Sequence, residues 1–206
     1  MSSDPKTSSR RGVGFGIAFV VTGPSGAGKT SVINRVICEL PRLAFSVSHT
    51  TRPRRRSEVD SKDYVFVAEK EFSRLASAGG FIEQTVYSGA RYGTARAQLE
   101  KFFSEGNDVI LNVEVEGAAS LRAADLGVHP VVSIFLAPST LDRLAERLRE
   151  RGTEDESKIR ERIRVASEEL KDLPEFEYLV INDDLNDAVD ELRSIIVAER
   201  LRVLRR

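Results

Sequence analysis

The stretch Gly23-Pro24-Ser25-Gly26-Ala27-Gly28-Lys29-Thr30 decides how this chain is read. It fits the pattern G-x-x-x-x-G-K-[ST], and its setting matters as much as its letters. The apolar run Ile17-Ala18-Phe19-Val20-Val21 precedes it, and a helical pattern carrying Val32, Ile33, Val36 and Ile37 follows. Strand, glycine-rich loop and helix together make a phosphate site of what would otherwise be an ordinary turn. Glycines let successive backbone N–H groups converge on phosphate oxygens where a side chain would collide. The start of the helix adds its partial positive charge. In that setting Lys29 reaches the β- and γ-phosphates of a nucleoside triphosphate, and the Thr30 hydroxyl ligates Mg²⁺. Gly23 through Thr30, with Ser31 beside them, are therefore the candidate donor-nucleotide residues.

The rest of the chain must supply the phosphoryl acceptor. Its 206 residues suit one compact domain with an insertion, or two small lobes. A net charge of −1 argues against a nucleic-acid-coating surface. The single cysteine, Cys38, excludes an intrachain disulfide, and its place in the helical pattern suggests a small buried apolar residue. Residues 1–15 read as a disordered tail rich in Ser, Arg, Lys and Gly. Arg10-Arg11 ahead of an apolar run imitates a twin-arginine export signal. No cleavage motif follows, though, and removal would delete the strand that positions the phosphate loop. No apolar segment is long enough to span a bilayer, so the expectation is a cytoplasmic protein with no membrane partner.

Beyond the first helix, Leu43 to Ser48 reads as a strand. From His49 to about Ala97 the character changes: a basic cluster, an alternating run Tyr64-Val65-Phe66-Val67, helical spacing over Glu69–Ala78, then a strand over Phe81–Tyr87. Short strands around one small helix suggest an inserted lobe. Helix is expected from Ala95 to Phe103. Buried strands follow at Val109–Val113, Val131–Leu136 and Tyr178–Ile181, and their near-continuous apolar character fits a parallel sheet covered on both faces. Thr140 is the expected cap of a helix that turns Leu141, Leu144 and Leu148 inward. Gly152 interrupts it, a charged helix runs from about Glu154 to Lys171, and a last helix follows Asn182-Asp183-Asp184.

Two basic constellations carry further chemistry. Arg52 and Arg55, three apart across Pro53, form a fork suited to a phosphate dianion, and Tyr64 downstream adds a hydroxyl. Alone, they would read better as a solvated charge run. Arg143, Arg147 and Arg151 recur every four residues on one helix face, with Arg160, Arg162 and Arg164 beyond the Gly152 break. Pairing with neighbouring carboxylates is the bland account of many of these.

Taken in order, several short motifs make the chain resemble the guanylate kinases over almost its whole length after the tail. They are Gly-Pro-Ser-Gly-Ala-Gly-Lys, Ser-Val-Ser-x-Thr-Thr-Arg-x-x-Arg, Lys-Asp-Tyr-x-Phe-Val, Phe-Ile-Glu, Tyr-Gly-Thr, Arg-Gly-Thr-Glu and Ile-Asn-Asp-Asp-Leu. The resemblance implies an α/β P-loop kinase core with a parallel sheet, over residues 16–45 and 98–206. It further implies an inserted GMP-binding lobe over 46–97 and a helical lid at about 145–170. The implied reaction passes the γ-phosphoryl group of ATP, with Mg²⁺, to GMP, and dGMP is an expected second acceptor. Arg52, Arg55, Tyr64 and Tyr92 would hold the GMP phosphate. Ser48, Glu83 and Thr94, with Gly93 between the last motif's polar groups, would read the guanine. A carboxylate accepts from the N1–H and N2–H donors of guanine, while hydroxyls donate to O6. Such a site can reject a base that leaves those groups unpaired by up to ~10⁴–10⁵-fold. Arg147, Arg151 and Arg162 would face the phosphates from the lid beside the catalytic Lys29, and Asn182 and Asp183 would lie near the adenine, with helix capping as their alternative role.

Three departures stand out. Ser57 and Ser61 occupy positions where glycines are expected, suggesting a stiffer turn. Asn112 and Glu114 stand where two Asp residues are usual, leaving Glu114 between a Mg²⁺-water role and a GMP role. Rival readings are weaker. A non-catalytic scaffold would be expected to lose the phosphate loop, and Glu114-Val115-Glu116-Gly117 only faintly resembles a GTPase switch, with no Asn-Lys-x-Asp guanine reader after it. A kinase acting on another phosphorylated acceptor is the nearest rival.

Overall fold

A computed structural model describes residues 16–56, 58–152 and 155–203. The expected tail and its arginine pair, Ser57, and the Thr153-Glu154 part of one motif and helix start lie outside the described residues. The chain opens with β1 (Ala18–Thr22), α1 (Lys29–Glu39) and β2 (Leu43–Ser46). β3 (His49–Thr50), β4 (Val65–Phe66), α2 (Glu69–Ser77), β5 (Phe81–Tyr87) and β6 (Ala90–Ala95) come next. After α3 (Arg96–Ser104), β7 (Asp108–Asn112), α4 (Val115–Ala123) and β8 (Val131–Ala137), the chain forms α5 (Leu141–Glu150) and α6 (Glu156–Glu169). A short 3₁₀ turn, Leu170–Glu175, leads to β9 (Tyr178–Ile181) and α7 (Leu185–Leu201).

The apolar strands build one parallel sheet in the order β2-β7-β1-β8-β9. β1 lies at its centre with all five residues buried. Because side chains alternate along a strand, Phe19 and Val21 enter a core with Val32, Ile33 and Val36 of α1 and Val189, Leu192 and Ile196 of α7. Ala18 and Val20 enter a second core with Leu99 and Phe103 of α3 and Ala118 and Leu121 of α4. The sheet is thus covered on both faces, as its sequence predicts. The loop after β1 leaves the carboxyl edge where chain order reverses, between β7 and β8, the crevice where such sheets bind ligands. At the opposite edge, Asp108 accepts from Ile17 N at 2.9 Å and from Arg200 Nε at 2.6 Å. That buried pair ties α7 to the sheet.

The chain from His49 to Ala95 forms a separate four-stranded sheet, in the order β4-β3-β6-β5, with α2 against it. β6 escaped the sequence reading because Ala-Arg-Tyr-Gly-Thr-Ala has little strand propensity. Its signal was the turn: Ser88 and Gly89 both take positive φ, 49° and 77°, as a two-residue hairpin of primed type requires. The helix α4 was also unforeseen, and it turns Glu114-Val115-Glu116-Gly117 into a helix start. Cys38 is exposed, contrary to expectation. On α1 it lies across the helix from Val32, Ile33 and Val36, since two residues past the last of these is a rotation of about 200°.

Candidate functional site

The phosphate loop has the backbone that its glycines predict. Gly23 has φ 138°, and a Cβ there would stand 2.0 Å from the carbonyl oxygen of Leu136 in β8. Gly28, at φ 89°, precedes α1, and its Cβ would stand 2.4 Å from Asn182 Nδ2. No L side chain fits either position. Lys29 donates to the carbonyls of Gly23 and Pro24, the latter at 3.1 Å. Burial pushes its pKa below the usual lysine value, Glu114 and Glu169 pull it back up, and Arg151 adds to the lowering.

Behind the loop, the Ala27 carbonyl accepts from Asn182 Nδ2 at 2.6 Å and from Arg147 Nη1 at 3.4 Å. Arg147 also donates to the Asp183 carbonyl at 3.0 Å, and the Asp183 carboxylate accepts from Ser139 N at 3.0 Å. Asn182, Asp183 and Arg147 therefore brace the loop from outside. Neither Asn182 nor Asp183 caps α7. Asp184 does, accepting from the N–H groups of Asn186 and Asp187. The two preceding residues are held by the loop and by Ser139, so the next carboxylate is the one at the helix start. Helices α5 and α6 pack on each other through Leu144, Leu148, Ile159 and Ala166. Thr140 caps α5 as expected, accepting from Arg143 N. Arg162 of α6 reaches across and donates to Ser25 Oγ of the loop.

On the other sheet, Arg52 is forked by Glu58, with Nη1 and Nη2 at 3.1 and 2.7 Å from its two oxygens. The same carboxylate accepts from Arg55 N at 2.8 Å. Arg52 packs over the Tyr64 ring at 5.4 Å, and Tyr64 meets Tyr92 edge-on at 5.8 Å. Burial, with the phenol of Tyr92 and the carboxylate of Glu114 nearby, holds the Tyr64 phenol up at about 12. Ser61 has φ +61°, the conformation that a glycine would adopt without strain.

Glu83 and Thr94 are register partners across β5 and β6, and Thr94 Oγ1 donates to Glu83 Oε1 at 2.6 Å. Both are buried, and Glu83 Oε2 has no partner among the described residues. Burial raises the Glu83 pKa, against the opposing pull of the Thr94 hydrogen bonds. An orphaned buried carboxylate oxygen is costly, and here it is held rigidly.

A cleft of about 850 Å³ joins these parts. Ser25 and Thr30 line it from the phosphate loop, and Glu114 from the position just before α4. Ser48, Arg52, Arg55, Tyr64 and Tyr92 line it from the smaller sheet, and Arg162 from α6. Lys29, Glu83, Gly93, Thr94, Arg147, Arg151, Asn182 and Asp183 are not among its walls. Sequence reasoning missed Tyr87 and the α6 residues Lys158, Glu161, Val165 and Glu169, which also line it. Their spacing of three, four and seven puts them on one helix face, a signal the charged sequence did carry. Burial and the neighbouring Glu114 raise the Glu169 carboxyl to about 7, and burial raises Glu114 too.

A parallel sheet with a glycine loop at its reversal point, an inserted second sheet and a helical pair over the loop define a P-loop nucleotide kinase fold. The guanylate kinase family model matches residues 17–199. Guanylate kinase of Thermotoga maritima is 43% identical over 190 residues, covering 92% of this chain and 90% of the relative. That of Legionella pneumophila (strain Lens) is 41% identical over 189 residues, covering 91% and 88%. The solved guanylate kinase of Anaplasma phagocytophilum superposes with a TM-score of 0.76 at 30% identity, covering 92% of this chain and 89% of that one. The chain belongs to the guanylate kinase family.

Proposed function

We propose that the chain transfers the γ-phosphoryl group of ATP to GMP, releasing ADP and GDP in a reversible Mg²⁺-dependent reaction. One observation carries this reading: the phosphate loop and the Arg52–Tyr64–Tyr92 cluster open onto the same cleft. Lys29 bridges the donor phosphates, and the loop from Gly23 to Ser31 cradles them. Asn182 and Asp183 shape the adenine side. Arg52, Arg55, Tyr64 and Tyr92 hold the acceptor phosphate. Ser48, Glu83, Gly93 and Thr94 read the guanine, with the orphaned oxygen of Glu83 accepting from the base. The GMP phosphate is itself the nucleophile, so alignment and charge neutralisation do the work and no covalent enzyme intermediate is needed.

Residues 46–97 serve as the acceptor lobe and about 145–170 as the lid. Arg151 and Arg162 approach the phosphates from that lid, and Arg147 fixes the loop they face. Thr30 and Glu114 both line the cleft and present hard oxygens of the kind Mg²⁺ takes beside nucleotide phosphates. Bound with ATP, the ion would neutralise charge on the β- and γ-phosphate oxygens. Metabolism of purine nucleotides in the cytoplasm fits such a reaction, and dGMP would serve as a second acceptor. The test is direct: with γ-labelled ATP and Mg²⁺, label should appear in GDP. Label appearing only in inorganic phosphate would refute the proposal.

A further inference from the structure

We propose that Tyr87 is a catalytic residue for phosphoryl transfer, its hydroxyl donating to the transferring group between the phosphate loop and the acceptor clasp. This rests on the reading of the cleft as an ATP:GMP site. Along β5, Glu83, Thr85 and Tyr87 share one face by strand alternation, beyond a register shift between Phe81 and Glu83, while Val86 on the other face is 66% exposed. Tyr87 is the last strand residue before the Ser88-Gly89 turn, paired with Ala90. Two residues back, Thr85 Oγ1 donates to Glu116 Oε2 of α4 at 3.0 Å, tying this end of the strand to the core. Turn, register and tether together fix where the ring stands.

That place is a wall of the cleft. Tyr87 lines it with Glu114 from the core, Arg162 and Glu169 from α6, and Tyr92 from β6. Glu114 and Glu169 are also the carboxylates that act most strongly on Lys29. Tyr92 in turn acts on Arg52. Tyr87 thus shares neighbours with the donor-phosphate lysine on one side and the acceptor-phosphate arginine on the other. Its hydroxyl has no hydrogen-bond partner among the described residues, although it is half-buried. Burial and the two carboxylates hold the phenol at about 12, so it remains a proton donor throughout the working pH range. A neutral donor beside Arg162 suits oxygens that gain charge during transfer without adding a fixed charge to a crowded site.

The test is single-turnover transfer from ATP to GMP in Tyr87→Phe, which keeps the ring and loses only the O–H. The expected result is a rate lower by about tenfold, the scale of one such donor, with KM for ATP and GMP within about twofold. An unchanged rate, or a loss appearing wholly as a raised KM for GMP, would overturn the proposal. Tyr87→Leu serves as a packing control: if Leu loses rate while Phe keeps it, the ring and not the hydroxyl matters, and the proposal fails. Wild-type protein runs alongside. Absence of GDP there would refute the underlying reading and not the role of Tyr87.

Discussion

Replacing Glu83 by Gln should weaken use of GMP and strengthen the fold at the same time. The carboxylate is 5% exposed, one oxygen takes the Thr94 hydroxyl at 2.6 Å, and the other is buried without a partner. Against guanine, Gln retains one acceptor and turns an NH₂ toward donors. Losing one charge-assisted bond and gaining a donor–donor conflict costs about 2–4 kcal/mol, or roughly 30- to 1,000-fold in affinity for GMP. The proposed ATP site is the phosphate loop and not the Glu83 pocket, so the KM for ATP should change less than about threefold. Without ligand, the substitution replaces an orphaned charge by an orphaned neutral group and should stabilise by about 1–2 kcal/mol. The sign follows from the raised pKa: the folded carboxyl keeps its proton to higher pH than the unfolded one, so wild-type stability is full at acid pH and falls as pH rises through the folded value. The gain in the variant should therefore appear at neutral pH and vanish below the ordinary carboxylate range. Steady-state kinetics with each substrate varied, and urea unfolding at two pH values, give both readings. Equal losses for ATP and GMP would refute Glu83 as a guanine reader, and lower stability at neutral pH would refute the account of its burial.

Lys29→Ala should cut turnover by about 10²–10³-fold, since it removes a fixed positive charge from the phosphate loop; turnover within threefold of wild type would remove Lys29 from the donor site. Arg200→Ala should destabilise by about 3–5 kcal/mol in urea unfolding, because it strands the buried Asp108 carboxylate, 3% exposed, that Arg200 meets at 2.6 Å. A loss below about 1 kcal/mol would show that the pair does not tie α7 to the sheet. Glu169 titrates near 7 when folded, so wild type should lose stability between about pH 4.5 and 7. Glu169→Gln should flatten that slope by on the order of 1 kcal/mol after screening by water; identical melting curves across pH would contradict it.

The parallel sheet and the phosphate loop were legible because each depends on neighbours in sequence: apolar runs, glycines at fixed offsets, and a helix start. Cys38 misled because helix periodicity was read without fixing which face is buried. β6 was hidden because its strand character comes from pairing with β5 and β3 and not from its own residues. Asn182 and Asp183 carried a double reading, and the loop carbonyl claimed the first while Asp184 took the cap. The cleft itself was half legible. Arg52, Tyr64 and Arg162 announced themselves by charge and motif. Tyr87 did not, because it becomes notable only when a hairpin and a helix, far apart in sequence, face each other across the cleft. Glu169 shared a helix face with Lys158, Glu161 and Val165, but nothing in that charged run marked the face as the one turned to the cleft.

The central claim is that this cleft passes a phosphoryl group to a guanine nucleotide. ADP release from ATP and Mg²⁺ should be measured with GMP, dGMP, AMP, CMP and UMP offered separately. GMP, with dGMP behind it, should exceed the other three by orders of magnitude in kcat/KM. Comparable rates with all five would contradict the account.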